Sequence, residues 1–160
     1  MIGMPASGKS TVGVQLAKWL SMGFLDTDLL VQARVGESMQ AFQNLHGLEA
    51  YRTLECETVG SVVCENCVIA TGGSAVYCDS AMRHLTSIAR IIFLDVPMAD
   101  IRQRIGDWSE RGVVIQSGMT LDDLYTERRP LYLRYADVVI DCAGKSEAMV
   151  LQEIRAISMR

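Results

Sequence analysis

The stretch Gly3-Met4-Pro5-Ala6-Ser7-Gly8-Lys9-Ser10, followed at once by Thr11, fits G-x-x-x-x-G-K-[ST]. In such a loop the backbone N–H groups curl around a phosphate and a helix begins at the far end. Glycine at Gly3 and Gly8 lets the chain bend where a Cβ would obstruct it and come close to phosphate oxygens. Lys9 brings positive charge to the β- and γ-phosphates, and Ser10 offers its hydroxyl to Mg²⁺. A Gly/Ser-rich turn ahead of a helix is the plainer alternative. Against it stands the apolar helical period that follows, through Val12, Leu16, Trp19 and Leu20.

A phosphate loop alone says only nucleotide, so the chemistry has to come from other polar groups on the same edge of the fold. Asp26-Thr27-Asp28, Arg52, Gly72-Gly73, Arg111 and Arg128 are the candidates. Phosphoryl transfer asks for in-line positioning, Mg²⁺ and positive charge over the equatorial oxygens, which Lys9 and a mobile arginine would supply. An acceptor hydroxyl also needs a carboxylate within reach to take its proton, and Asp28 is the candidate base. Asp26 is the candidate Mg²⁺ group, acting through water. Arginines not used on nucleotide suggest an acceptor that carries a carboxylate, because a guanidinium fork matches it with two parallel bonds. Taken singly, each residue has a plainer role. Asp26 could be a helix cap, Arg52 and Glu55 could meet on a helix surface, and Arg128-Arg129 beside Glu127 could be a solvated helix end.

The elements that must position these groups alternate. A strand near residues 22–25 delivers Asp26 and Asp28 at its carboxyl end, where open α/β sheets bind ligands. Helical spacing follows over Leu29–Val35, about Met39–Leu45, and Leu48–Val63, with Leu48, Tyr51, Leu54 and Val59 on one side. Cys67–Thr71 is an apolar strand ending in Gly72-Gly73. A short helix at 80–87, a buried strand within Ala89–Val96 and a helix over 98–106 come next. Residues 107–119 read as a long connection of the kind used for lids. Thr120–Asp123 resembles a capping box at the start of the helix bearing Arg128 and Arg134. Ala136–Cys142 is the last strand and 147–158 the closing helix. The expectation is α/β: a three-layer P-loop fold, with a parallel five-stranded sheet and helices on both faces.

At 160 residues and 49% hydrophobic content the chain fits one domain over 1–160, and a net charge of −4 argues against a general nucleic-acid or membrane-surface binder. No signal peptide and no apolar run of transmembrane length is evident, so the expectation is a cytoplasmic protein. Five cysteines suggest reduced, partly buried thiols. Cys64-Glu-Asn-Cys67 has C-x-x-C spacing, but no second pair follows it. Only Met1 and Ile2 precede the phosphate loop, which is normally fed by a strand of about five residues. The first strand is therefore expected to be truncated, with Met1 an internal methionine and several apolar, β-branched residues ahead of it in the natural chain.

Five stretches now carry a resemblance that covers nearly the whole chain. They are Gly3 to Thr11; Asp26-Thr27-Asp28; Tyr51-Arg52-Thr53-Leu54-Glu55; Gly72-Gly73; and Arg128-Arg129-Pro130-Leu131-Tyr132. Together they resemble the shikimate kinases, small-molecule kinases of the nucleoside-monophosphate-kinase type. The resemblance implies transfer of the γ-phosphoryl of ATP to the 3-hydroxyl of shikimate with Mg²⁺, a step of aromatic amino-acid biosynthesis. It implies that Gly3, Pro5, Ala6, Ser7, Gly8, Lys9, Ser10 and Thr11 hold nucleotide, with Arg104 on adenine. Asp28, Arg52, Gly72, Gly73 and Arg128 would hold shikimate. Lys9, Asp28 and Arg111 would be catalytic, Arg111 as the lid arginine, and Ser10 and Asp26 would serve the metal. The implied partners are ATP and shikimate, with no nucleic acid or membrane, and a monomer. Two residues depart from the family pattern: Ser74 stands at its third glycine, and Gly112 where proline is usual after the lid arginine. Alternatives are a kinase of another hydroxylated acid such as gluconate, or a catalytically silent nucleotide-binding relative.

Overall fold

A computed structural model describes residues 1–106 and 118–158. Helix α1 (Lys9–Leu20) starts from Gly8, whose φ of 91° is left-handed and costs a glycine little. Its first turn has no side-chain cap and no acidic residue, so its N–H groups are turned toward whatever anion approaches. Strand β1 (Gly23–Asp26) leads directly into α2 (Thr27–Val35), which Asp26 caps by accepting a bond from Asp28 N. Helices α3 (Met39–His46) and α4 (Leu48–Gly60) follow, then β2 (Cys67–Ala70), which pairs in parallel with β1 in the register Gly23↔Cys67. A single 3-10 turn, Ala75–Tyr77, precedes α5 (Asp79–Ile88). Strand β3 (Ile92–Asp95), α6 (Met98–Ile105), α7 (Leu121–Tyr135), β4 (Val138–Asp141) and α8 (Glu147–Ser158) complete the order.

The sheet differs from the five strands expected. Among the described residues there are two parallel pairs, β1 with β2 and β3 with β4, and Met1–Ile2 stands between them. Thr71 N donates to Met1 O at 3.2 Å and the Met1 amine donates to Ile69 O at 2.5 Å on one side. On the other, Ile2 N donates to Ile92 O at 2.9 Å and Leu94 N to Ile2 O at 3.1 Å. Two residues thus occupy the position of an interior strand. Beyond them a cavity of about 400 Å³ opens between the edges of β2 and β3, lined by Leu16 and Leu20 of α1 and Leu85 and Ile88 of α5. Burial pushes the Met1 amine down to about 5.

The apolar residues of the strands and of the helical inner faces form one cluster, from Met1 and Ile2 through Val12, Leu16, Phe93 and Ile140 to Ile154. Each fully buried Leu, Ile or Phe in it contributes about 1.5–3 kcal/mol. Strand β3 lies within the span Ala89–Val96 expected to contain it, and β4 begins two residues after Ala136. There Asp137 bonds with Ile91, accepting from Ile91 N at 2.7 Å and donating its own N–H to Ile91 O at 2.9 Å. Thr120 and Asp123 cap α7 reciprocally, as the capping-box spacing predicts.

The cysteines correct one expectation. Cys56 on α4 and Cys78 at the cap of α5 are disulfide-bonded with Cα atoms 5.6 Å apart, a separation within the range a bridge needs and one fixed by how the two helices pack. Cys64 and Cys67 are free and half-buried, and Cys142 is free and buried. No helix among the described residues is long and apolar enough to cross a membrane.

Candidate active site

The phosphate loop passes from the Met1–Ile2 segment to α1 with Ala6 at φ 60° and Gly8 at φ 91°. Two left-handed residues so close together turn successive N–H groups inward, the arrangement that makes an anion cradle. Lys9 is buried and folds back over this loop, donating to Gly3 O at 2.9 Å and Met4 O at 2.7 Å. Burial pushes its amine down to about 8, while the negative charge of Asp28 and Asp26 opposes that shift. The lysine is therefore positioned by backbone carbonyls and kept charged by two carboxylates, a setting that favours a polyphosphate.

Ser10 Oγ donates to Asp26 Oδ2 at 2.6 Å, and Asp26 Oδ1 accepts from Asp28 N at 2.9 Å. A hydroxyl and a carboxylate side by side next to a phosphate cradle are hard oxygen donors of the kind Mg²⁺ takes alongside phosphate and water. The residues present fit that ion. They do not form a protein cage: among the described residues no group of three His, Cys, Asp or Glu could hold a metal by itself. Asp28 follows at the start of α2, where burial first and the neighbouring Asp26 second push its carboxyl up to about 6. A half-buried carboxylate with a raised affinity for protons has the properties of a general base.

The acceptor side is built from α4, the turn after β2, and α7. Gly72 is required by approach: a Cβ there would overlap Glu55 Oε1 and lie 2.5 Å from Asp28 Oδ1. A Cβ on Gly73 would come 3.0 Å from Pro5 Cδ and 3.1 Å from Arg128 Nη1. Thr27 Oγ1 accepts from Gly72 N at 3.1 Å and Tyr132 donates to Gly73 O at 2.7 Å, so the turn is held from both flanks. Arg128 is 1% exposed and donates from Nε to Tyr77 OH at 3.1 Å. Its guanidinium lies 5.1 Å from the Tyr77 ring centroid, and that of Arg52 lies 4.8 Å from the same ring. Two cations thus meet one aromatic ring, which is favourable for each but leaves them repelling one another.

Pro5, Gly8, Lys9, Ser10, Asp28, Gly73 and Arg128 line one cavity of about 410 Å³, together with Ser74, Tyr51 and Met39. Arg52 lines the adjoining cavity with Glu55 and Tyr77. It does not pair with Glu55 as the i, i+3 spacing suggested. Its Nη1 reaches Glu49 at 3.1 Å instead, because Glu55 points inward and bonds to Ser74. Arg129 is a tie rather than a ligand-binding group, with Nε and Nη2 on the two oxygens of Asp95 at 3.1 and 2.7 Å. Arg104 is exposed on the last turn of α6 and is not among the residues lining either cavity. Arg111 lies outside the described residues. Sequence reasoning missed Tyr77, the role of Glu55 as a buried acid and the hold of Tyr132 on the turn. A tyrosine four residues past the glycine pair carries no signal of its own until the 3-10 turn brings it against two arginines.

A family model described as Shikimate kinase matches residues 5–158. Among curated relatives, a shikimate kinase of Frankia casuarinae is 37% identical over 146 residues, 90% of this chain and 64% of that protein. One of Francisella tularensis subsp. novicida is 31% identical over 158 residues, 96% of this chain and 90% of that protein. Among solved structures, shikimate kinase from Aquifex aeolicus has a TM-score of 0.81 at 32% identity, covering 97% of this chain and 92% of that one. Shikimate kinase from Acinetobacter baumannii, in complex with shikimate, has a TM-score of 0.82 at 24% identity, covering 99% and 90%, and is a likeness of fold alone.

Proposed function

The chain belongs to the shikimate kinase family, and from that premise we propose that it transfers the γ-phosphoryl of ATP to the 3-hydroxyl of shikimate, giving shikimate 3-phosphate and ADP. The observation that carries this reading is the meeting, in one cavity, of a phosphate loop with a proton-accepting carboxylate, Asp28, and a buried guanidinium, Arg128. A kinase acting on a hydroxy acid needs those three things together.

The nucleotide phosphates lie on the N–H groups of the loop from Gly3 to Thr11, with Lys9 on the β/γ oxygens and Arg104 on adenine. Ser10 directly, and Asp26 through water, would hold Mg²⁺, which would supply charge neutralisation to the phosphoryl oxygens. Arg128 and Arg52 grip the acceptor carboxylate, and Gly72-Gly73 brings backbone up to the ring. Asp28 orients the 3-hydroxyl. As the new O–P bond forms and the bond to the ADP oxygen breaks, the hydroxyl proton passes to the Asp28 carboxylate. Arg111, from the segment 107–119, closes over the transferred group as a lid; this role rests on the resemblance alone. A monomeric, cytoplasmic enzyme completes the reading, with no nucleic-acid or membrane partner, the last point supported by the net charge of −4.

The test is a coupled ADP-release assay with shikimate against a panel of hydroxy acids that includes gluconate. Shikimate should be preferred. Faster turnover of gluconate would move the reading to that acceptor, and ATP binding with no acceptor phosphorylated would reduce the protein to a nucleotide binder.

A further inference from the structure

One side chain in the turn after β2 has no part in the proposed reaction. Ser74 is 3% exposed, opens the 3-10 turn with φ −90° and ψ −9°, and donates from Oγ to Glu55 Oε2 at 2.5 Å. Glu55 is 2% exposed, and its other oxygen, Oε1, has no hydrogen-bond partner among the described residues. That oxygen faces Gly72 beside Asp28 Oδ1. Around this buried carboxyl stand Asp28 from α2, Arg52 and Tyr51 from α4, and Arg128 and Tyr132 from α7. Its one hydrogen bond among the described residues therefore comes from the turn, while its charge acts on the two arginines.

We propose that Ser74 is a positioning residue for the acceptor: its hydroxyl fastens the Gly72–Ser74 turn to α4 and keeps Glu55 as the anion that lets Arg52 and Arg128 share one site. An anion near both guanidiniums offsets their mutual repulsion across Tyr77. A hydrogen bond donated to a carboxylate favours its ionised form, whereas burial and a neighbouring carboxylate favour the protonated one. Burial pushes Glu55 up to about 7, the Ser74 bond pulls against that, Asp28 adds to the rise, and Arg128 and Arg52 oppose it. Loss of the hydroxyl leaves Glu55 neutral over more of the physiological range. The two arginines then lose the buried charge that acts on both of them, Glu49 remaining on Arg52, and the acceptor is held less well. The kinetic part of this inference rests on the shikimate reading, and the titration part does not.

The experiment compares the wild-type chain with Ser74→Ala, Ser74→Thr and Glu55→Gln. In the free protein, the Glu55 carboxyl is followed by carbon NMR against pH. In the assay, KM for shikimate is followed from pH about 6.5 to about 8.5, with melting checked for each variant. For Ser74→Ala the Glu55 midpoint should rise by roughly one to two pH units, and KM at pH 7 should rise by about tenfold, more than kcat changes. Ser74→Thr, which keeps a hydroxyl, should restore both. Glu55→Gln, which cannot ionise, should show a KM independent of pH in this window, and it serves if the alanine variant does not fold. An unmoved midpoint, or a KM profile that superimposes on wild type while shikimate is turned over, overturns the role of Ser74. A moved midpoint with no turnover of shikimate by the wild-type chain overturns the shikimate reading and leaves the hold of Ser74 on Glu55 standing.

Discussion

Lys9 is the residue on which most depends, because its ammonium is buried and held by two backbone carbonyls of the phosphate loop. Lys9→Met should lower turnover by at least about a hundredfold with the fold retained, since the lost charge acts mainly on the transition state. A folded variant with near-normal turnover would sink the kinase reading. Asp28→Asn and Arg128→Ala should separate by parameter. The first removes the proton acceptor and depresses kcat, and the second removes carboxylate recognition and chiefly raises the shikimate KM. The base must be ionised to work, and Asp28 is pushed up to about 6 in the free protein. The acid limb of kcat/KM should therefore fall near pH 6, well above an ordinary aspartate, and a rate flat down to pH 4.5 would exclude Asp28 as the group responsible.

At the scale of elements, the weak point is the two-residue segment between β2 and β3. A strand residue turns its N–H and C=O to the same side. Ile69 and Ile92 accept from Met1 and Ile2 through their carbonyls, so their N–H groups face the same space, which continues into the cavity of about 400 Å³. Adjacent strands lie about 4.8 Å apart, so the space between β2 and β3 has the width of one strand. Appending four apolar, β-branched residues ahead of Met1 should raise the melting temperature. Each added ladder bond contributes about 0.5–1.5 kcal/mol, and the side chains would be covered by Leu16, Leu20, Leu85 and Ile88. An extended chain that melts no higher than the 160-residue form would show that the edges are satisfied another way.

For the molecule as a whole, buried ionisable groups make stability depend on pH. The Glu55 carboxyl has a folded value of about 7 against 4.5 for the free side chain. Its contribution is therefore fully present below pH 4.5 and is lost as pH rises through 7, because the folded state binds more protons in that window. Glutamine cannot titrate and can still accept from Ser74. The melting temperature of Glu55→Gln relative to wild type should therefore increase from pH 4.5 to about 8. A difference that is constant across that range would show that Glu55 is not buried as a titrating acid.

The sequence by itself determined whatever is local. The phosphate loop is a run of adjacent residues whose backbone geometry follows from glycine at Gly8. The order of helices and strands follows from apolar period, and the capping box of α7 from Thr120 and Asp123 alone. The site was legible to the same extent: Lys9, Ser10, Asp28, Gly73 and Arg128 do come together in one cavity. Tertiary structure decided what depends on distant parts of the chain. That Arg52 turns to Glu49 while Glu55 bonds to Ser74, 19 residues away, is set by how α4 packs on the turn after β2. Tyr77 meets two arginines from different helices, and Cys56 meets Cys78 across a separation of 22 residues. Periodicity can say which face of a helix is buried, but not which neighbour that face will meet. A buried polar group takes its partner from that neighbour, and that choice was made only by the packed fold.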